Sequence, residues 1–205
     1  MSDYETLAGK ASAEISIKGS RFIGVAMPCP DEGAIQENLA ALAKEYPGAT
    51  HYCYAAIYGA SDRKVRFSDG GEPSGTAGRP ILSVLSGAGL SDSMAAVIRY
   101  FGGTLLGTGG LVRAYSESAS FALERSDRVL RKACAVFSFD LGYSHYSAFE
   151  SKCGAFMARR PECSYSDRVS VKAWVPLEET DGFLRRIGAI TDGHARPIRL
   201  RDEYV

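Results

Sequence analysis

The sequence predicts an α+β protein built from two domains, residues 1–132 and 133–205. Three observations predict it: strands and helices alternate, two glycine-rich loops each run into the start of a helix, and the pattern begins afresh near residue 134. A chain of 205 residues is long enough for two cores. Its 45% apolar and 23% charged residues are ordinary for a soluble globular protein.

The first domain opens with a predicted β-hairpin. Residues 12–18 alternate between apolar and polar side chains, Gly19-Ser20 turns the chain, and residues 21–27 return as the partner strand. The next predicted elements are a helix from its N-cap Asp31 to Pro47-Gly48, a tyrosine-rich strand from His51 to Tyr58, and a short strand over 65–67.

Two glycine-rich stretches follow, at 68–80 and 102–110. In the first, Ser74 or Thr76 is predicted to cap the next helix. The second comes after an apolar strand over 95–101 and leads into a helix from about 109 to about 127. The start of a helix presents backbone N–H groups that can bind an anion. If the two loops lie on one edge of the sheet, they can form one shared site.

The alternative interpretation is structural, because glycine also permits positive φ and close packing. Neither stretch matches a nucleotide-binding fingerprint. Gly102-x4-Gly107 is followed by Thr108 without the lysine of a P-loop, and Val112 stands where a dinucleotide loop has its third glycine. Both interpretations stay open on spacing alone.

The second domain is predicted as strand 134–141, helix 144–159, strands 163–166 and 169–175, helix 178–190 and strand 196–200. The order β-α-β-β-α-β is the ferredoxin-like split unit. Phe137 and Phe139 share a strand face, as stacking aromatics do in RNA-recognition sheets. The sequence motif of those sheets is absent, so core packing is the expected role.

Composition bears on which classes of function the chain can have: nucleic-acid binding, a metal or cofactor site, and association with a membrane. Lys plus Arg and Asp plus Glu both number 24, so no global basic field attracts nucleic acid, and RNA binding requires a local patch. Five cysteines without a C-x-x-C pair and three scattered histidines predict reduced thiols, no zinc or other metal site, and no cofactor. Because no apolar run reaches the length of a membrane span and no signal peptide is present, we expect a cytoplasmic protein without a membrane partner.

The glycine stretches carry a family resemblance. The run from Asp69 to Gly78, DGGEPSGTAG, resembles the D-x-G-E-P-x-G-T-A-G motif of the IMPACT (YigZ) family. The run from Arg99 to Tyr115 is similar to the family's second motif, and Lys18-Gly19-Ser20-Arg21-Phe22 resembles its K-x-S-R-F hairpin. His51 stands where the family has a histidine opening a strand. The resemblance covers the whole chain and is closest to the bacterial two-domain members.

This resemblance implies a fold for each domain. The first is expected to have the ribosomal-protein-S5-domain-2-like fold, shared with domain IV of elongation factor G and the protein subunit of ribonuclease P. The second is expected to be ferredoxin-like, similar to a late domain of elongation factor G. Because those relatives bind RNA or the ribosome, the inference to RNA is one of fold-level analogy.

The resemblance also bears on partners. Eukaryotic IMPACT proteins regulate translation by competing for the activator of a stress kinase, with an extra N-terminal domain that has no counterpart in this sequence. We therefore do not transfer that partner. Arg79 and Arg113 stand where the family has lysine, so charge is kept while hydrogen-bond geometry is not.

Two functional hypotheses follow, with a purely protein-binding role in translation control as a third. The first is a non-enzymatic, translation-linked protein that binds RNA or the ribosome. Its predicted RNA- or anion-binding residues are Lys18, Arg21, Ser74, Thr76, Arg79, Arg99, Tyr100, Gly103, Thr108, Gly110 and Arg113, with Tyr100 or His51 stacking on a base.

The second hypothesis is a hydrolase-type enzyme acting on a small phosphorylated or peptide substrate. Asp69 and Glu72 would form its acid/base pair, and His51 would shuttle protons. The structural alternative is that Asp69 organises its own turn and Glu72 pairs with an arginine. No nucleophile elbow, metal triad or cofactor motif supports the enzyme.

Overall fold

The computed structural model describes all 205 residues, and its contacts divide the mixed α/β chain into two units. The N-terminal unit comprises residues 4–130, and the C-terminal unit comprises residues 131–205 together with residues 1–3. The sequence prediction placed residues 1–3 with the first domain. Within the C-terminal unit, the Asp3 carboxylate accepts a hydrogen bond from the Ala133 amide at 2.8 Å.

Antiparallel strands and three helices form the N-terminal unit. In chain order they are β1 (Tyr4–Leu7), β2 (Ala11–Ile17), β3 (Ser20–Pro28), α1 (Glu32–Glu45), β4 (His51–Tyr58), β5 (Lys64–Ser68), α2 (Gly78–Gly87), β6 (Ser93–Tyr100), α3 (Gly107–Glu124) and β7 (Arg128–Arg131). Five strands make one sheet in the order β2-β3-β6-β4-β5. The short strands β1 and β7, which the sequence did not predict, pair with each other.

The predicted hairpin is confirmed as β2 and β3. Its central turn residues are Lys18 and Gly19, at φ 46° and 80°, rather than Gly19 and Ser20. Positive φ at both centres is typical of the type I′ turn, whose twist matches that of two paired strands. The turn therefore places Lys18 at the exposed tip of the hairpin.

Helices cover both faces of the five-stranded sheet. On one face Ile35 and Leu42 of α1 pack against a buried cluster, and Asp31 caps that helix as predicted, accepting from the Ala34 amide at 2.9 Å. On the other face α2 and α3 pack on the sheet. A Cβ at Gly24 would lie 2.0 Å from the Ser118 carbonyl oxygen, so glycine at 24 lets the α3 backbone approach β3 closely.

Asp69 organises the first glycine loop and the start of α2. Its Oδ2 accepts from the Gly75 amide at 2.9 Å, and its Oδ1 accepts from the amides of Ala77 at 3.0 Å and Gly78 at 2.8 Å. No side chain at the N-cap position caps α2. The prediction that Ser74 or Thr76 caps this helix is wrong, because the carboxylate of Asp69, at the start of the loop, accepts hydrogen bonds from these amides.

The C-terminal unit contains β8 (Ala133–Leu141), α4 (Tyr143–Cys153), β9 (Glu162–Tyr165), β10 (Val169–Pro176), α5 (Thr180–Thr191) and β11 (Ile198–Tyr204). The sheet order is β11-β8-β10-β9. Phe137 and Phe139 are buried with Phe149 and Phe183, as expected of core residues. The helix predicted to reach residue 159 ends at Cys153, where Gly154–Phe156 forms a 3-10 turn before the chain becomes extended at Met157. No helix in the structure combines the length and apolar character that crossing a bilayer requires.

The Asp69 cap predicts a pH dependence of stability. Burial raises the pKa of Asp69, but the hydrogen bonds from Gly75, Gly78 and Ala77 outweigh burial and lower the pKa below its ordinary value. A carboxyl whose pKa is lowered by folding stabilises the native state above its unfolded pKa of about 3.9, and this contribution is lost as the pH falls through the folded value.

We therefore expect Asp69→Asn to lower the free energy of unfolding at pH 7 by about 1–2 kcal/mol. The variant should also lose less stability than the native protein between about pH 5 and pH 2. Urea unfolding across this range is the measurement, with Asp62→Asn, whose side chain is 84% exposed, as the control. Equal stability at pH 7 and an equal acid slope would contradict the capping role.

Candidate functional site

The second glycine loop lies directly against the turn between β2 and β3. A Cβ at Gly102 would lie 1.9 Å from the Gly19 carbonyl carbon, so only glycine permits this approach. The Gly102 amide donates to the Ser20 Oγ at 3.1 Å. These contacts hold the loop that leads into α3 beside the hairpin.

The start of α3 is an open set of amides. Leu106, at the N-cap position, makes no side-chain capping bond, and the first turn contains no acidic residue. The amides of Gly107, Thr108 and Gly109 donate to no acceptor in the chain. Because the N-terminus of a helix carries partial positive charge, this position suits an anion. It differs from the start of α2, where the Asp69 carboxylate already occupies the amides.

A buried carboxylate joins the first loop to the sheet and to α3. The Glu72 Oε1 accepts from the Arg99 Nη1 at 2.5 Å and from the Tyr115 hydroxyl at 2.7 Å. The side chains of Glu72 and Arg99 are 4% and 5% exposed. Removing one partner of such a pair leaves a buried charge unpaired and typically costs about 3–5 kcal/mol. Glu72 therefore fixes the loop, β6 and α3 relative to one another.

The Arg99 side chain is held by contacts on several sides in addition to its pairing with Glu72. Its Nη2 donates to the Ser20 Oγ at 3.2 Å, and its guanidinium lies 5.1 Å and 5.3 Å from the ring centroids of Phe22 and Phe101. The buried Nε has no hydrogen-bond partner. Arg99 is one of the residues predicted to grip RNA phosphates, and in the folded protein its guanidinium is paired with the buried Glu72 carboxylate.

His51 lies beside the carboxylate, at the first residue of β4. Its Nδ1 is 3.0 Å from the Gly70 carbonyl oxygen, which can only accept, so Nδ1 carries the proton in this hydrogen bond. Its Nε2 then lies 3.8 Å from the Glu72 Oε1. A Cβ at Gly71, where φ is 88°, would lie 3.3 Å from Nδ1, so glycine there leaves room for the imidazole. His51 is thus oriented with Nε2 beside the carboxylate.

The two glycine loops line one cavity of about 500 Å³. Apolar side chains form part of its wall, and the buried pair Glu72 and Arg99 with His51 forms a polar part. The start of α3 completes it. The lining residues are Thr50, His51, Gly71, Glu72, Pro73, Arg99, Phe101, Leu105, Leu106, Gly107, Thr108 and Leu111.

Of the predicted site residues, His51, Glu72, Arg99 and Thr108 line this cavity. Those outside its lining are Lys18, Arg21, Asp69, Ser74, Thr76, Arg79, Tyr100, Gly103, Gly110 and Arg113.

The basic residues that do not line the cavity differ in whether they form an ion pair. Lys18, Arg79 and Arg113 are exposed and have no carboxylate within ion-pair distance. Arg21 instead pairs with Glu14, its Nε 2.9 Å from Oε1, and its guanidinium lies 5.2 Å from the Tyr100 ring centroid.

The remaining predicted residues are engaged or play a packing role. The Tyr100 hydroxyl donates to the Pro47 carbonyl oxygen at 3.2 Å, and the Thr76 hydroxyl donates to the Pro73 carbonyl oxygen at 2.7 Å. Ser74 and Gly103 are exposed. A Cβ at Gly110 would lie 3.0 Å from the Cβ of Leu106, the N-cap residue of the same helix, so glycine relieves a tight contact at the start of α3.

The geometry reassigns the predicted acid/base residues. Asp69 is committed to the amides of its own loop, and its carbonyl oxygen accepts from the Cys53 Sγ at 2.9 Å. Burial raises the pKa of the Cys53 thiol to about 12, so it is not a thiolate nucleophile at neutral pH. Burial also raises the pKa of Tyr115. Of the three residues predicted for acid/base chemistry, Glu72 and His51 line the cavity and Asp69 does not.

The sequence analysis did not identify two functional contributors. Tyr115 entered only as the last residue of the second family motif, although a buried tyrosine hydroxyl needs a partner, which here is Glu72. Ser20, assigned to a turn, is fully buried, and its Oγ accepts from both Arg99 and Gly102. Its place as the serine of the K-x-S-R-F motif was the signal that could have pointed to this role.

Comparison with known proteins places these loops in a family context. The Impact N-terminal domain family matches residues 18–123, which include both glycine loops and the hairpin turn. The chain is 36% identical over 190 residues to the IMPACT family member YvyE of Bacillus subtilis, covering 93% of this chain and 88% of the relative. It is 30% identical over 188 residues to the IMPACT family member YigZ of Escherichia coli, covering 91% and 92%.

A solved structure extends the similarity to the whole chain. A protein whose crystal structure is described as that of an hypothetical protein matches with a TM-score of 0.69 and 29% identity, covering 99% of this chain and 100% of its own. The family resemblance carried by the motifs is therefore confirmed. The chain belongs to the IMPACT family.

Proposed function

We propose that this protein is a non-enzymatic, translation-linked regulator in the cytoplasm that binds RNA or the ribosome through the cavity between its two glycine loops. The observation that carries the proposal is the open start of α3, where the amides of Gly107, Thr108 and Gly109 have no acceptor in the chain. A backbone phosphate is an anion that such amides bind without reading sequence.

Exposed cations of the N-terminal unit support the same ligand. Lys18 stands at the hairpin tip, whose turn contacts the second loop at Gly102, while Arg79 is the second residue of α2 and Arg113 lies in the second turn of α3. Since the chain has no net charge, such local cations are the electrostatic contribution available for binding RNA. Phe101, which lines the cavity and is 45% exposed, is an aromatic side chain on which a base can stack.

The arrangement of each unit is compatible with the folds implied by the family resemblance. In the C-terminal unit the strand order β11-β8-β10-β9 with two crossover helices supports the ferredoxin-like assignment. For the N-terminal unit we propose the S5-domain-2-like fold, whose relatives bind RNA. Five free cysteines suit a reducing compartment such as the cytoplasm.

We expect a structured RNA to bind with an affinity that falls as salt rises, with a slope in log K of about 0.7–0.9 per phosphate contact. Lys18→Ala, Arg79→Ala and Arg113→Ala should each weaken binding and reduce that slope by about one contact. Filter-binding titrations at several salt concentrations measure both quantities.

Arg63→Ala is the matched control, because Arg63 is exposed and lies in the turn that follows Tyr58, at the opposite end of β4 from His51. Affinity that ignores salt, or an equal loss in the Arg63 variant, would argue against the proposal. Loss of capture of protein partners on nuclease treatment would further favour RNA over a direct protein partner in translation control.

A second candidate function is a hydrolase-type enzyme acting on a small phosphorylated or peptide substrate. The observation that favours it is the position of the His51 Nε2 beside the Glu72 carboxylate, in the cavity that the open amides of α3 also line. In this mechanism His51 accepts a proton from water, and the amides hold the developing negative charge.

For this candidate we expect turnover of a phosphorylated or peptide substrate to fall at least about 100-fold in His51→Ala, the usual contribution of a general base. Glu72→Gln keeps an oxygen for Arg99 and tests the carboxylate charge. A substrate screen with no signal above the Glu72→Gln protein would remove the candidate. Thermal unfolding of both variants checks that they are folded.

A further inference from the structure

A second cavity, of about 590 Å³, lies in the C-terminal unit and is lined by positively charged or protonatable side chains. They come from three separate segments. His145 lies in the first turn of α4, Arg168 in the turn between β9 and β10, and His194 and Arg196 in the loop between α5 and β11. No acidic residue lines the cavity.

The fold positions each of these segments. Arg168 donates from Nη2 to the Asp140 carbonyl oxygen at 3.2 Å, which anchors its side chain beside the end of β8. Asp192 and Gly193, at φ 45° and 75°, end α5 in the left-handed region and turn the chain before His194. The hydrogen bond of Arg168 and the left-handed turn before His194 therefore help to position two of the three segments that line the cavity.

The charges in this cavity have no internal counter-charge. None of the four basic residues has a carboxylate oxygen within 4.0 Å. The carboxylate of Asp140, three residues before the start of α4, accepts from the Ser170 hydroxyl at 2.6 Å instead. Elsewhere in the same unit Arg199 pairs with Asp202 at 2.7 Å and Arg201 with Glu203 at 2.6 Å.

Hydrogen-bond donors accompany the charges. Ser144 lines the cavity, and α4, whose N-cap residue is Gly142, has no side-chain cap and no acidic residue in its first turn. The amides of Tyr143 and Ser144 donate to no acceptor in the chain. Donors and cations thus meet in one concave space, while an internal anion is lacking.

We propose that this cavity binds a phosphomonoester group. A phosphomonoester carries about −1.5 to −2 charge at pH 7 and presents three terminal oxygens, which match two guanidinium forks and neighbouring N–H donors. A phosphodiester within an RNA chain carries a single negative charge and has only two terminal oxygens. This site is separate from the cavity between the glycine loops, and it does not depend on the proposed function.

Calorimetric titration of the full-length protein with inorganic phosphate and with adenosine 5′-monophosphate tests the proposal, with adenosine as the uncharged comparison. We expect both phosphates to bind and adenosine not to bind. Arg168→Ala and Arg196→Ala should each weaken binding by about tenfold or more, as expected when a hydrogen-bonded charge contact is lost. Arg168→Lys keeps the charge but not the fork and should lie between.

Arg185→Ala is the control, because this exposed arginine of α5 does not line the cavity. A phosphomonoester can be the 5′ end of an RNA or part of a small phosphorylated molecule. Oligoribonucleotides of one sequence with a 5′-phosphate or a 5′-hydroxyl distinguish these two sources. A difference between them that Arg168→Ala abolishes assigns the terminus of an RNA, and binding of the mononucleotide without that difference assigns a small phosphorylated molecule.

Two results would overturn the proposal. One is no binding of either phosphate by the native protein at millimolar concentration. The other is phosphate binding that is unchanged in the double variant Arg168→Ala/Arg196→Ala but lost in Arg113→Ala. The phosphate would then occupy the start of α3 and not this cavity. Amide shifts at Ser144 and His194 in an NMR titration provide a second readout, and unchanged thermal unfolding verifies that the variants are folded.

Discussion

The ion pair between Glu72 and Arg99 joins parts of the N-terminal unit that are far apart in sequence. Glu72 belongs to the first glycine loop. Its Oε1 accepts hydrogen bonds from the guanidinium of Arg99 in β6 and from the hydroxyl of Tyr115 in α3. Because a charge buried this deeply must remain paired, the loop cannot move away from the sheet without a large loss of stability. Glu72 and Arg99 both line the cavity, and the His51 Nε2 lies 3.8 Å from the same carboxylate oxygen.

The two glycine loops resemble each other in sequence but differ in electrostatics. The first supplies its own anion, since Asp69 occupies the amides at the start of α2. The second leaves Gly107, Thr108 and Gly109 without acceptors and has no acidic residue nearby in its helix. An external anion is therefore expected at α3 and not at α2. The structural alternative for Asp69 and Glu72, a turn organiser and a partner of arginine, describes what both residues do.

Much of the fold was predictable because it depends on local patterns. The strand His51–Tyr58 has the bounds that its composition predicted, and Asp31 caps α1 as its position before an amphipathic helix indicated. The cap of α2 was not predictable by local rules, because Asp69 precedes the capped amides by six to nine residues. The burial of Arg99 was missed for a related reason. Its partner Glu72 lies 27 residues away in sequence, and only the folded sheet brings them together.

The most direct test of this account is an NMR titration of the ¹⁵N-labelled protein with a short single-stranded RNA, following the backbone amides of both glycine loops. The account predicts saturable shifts at Gly107, Thr108 and Gly109, while Gly75, Ala77 and Gly78, whose N–H groups bind Asp69, keep their positions. Binding of RNA with no change at the start of α3, or with shifts confined to the Asp69 loop, would contradict it.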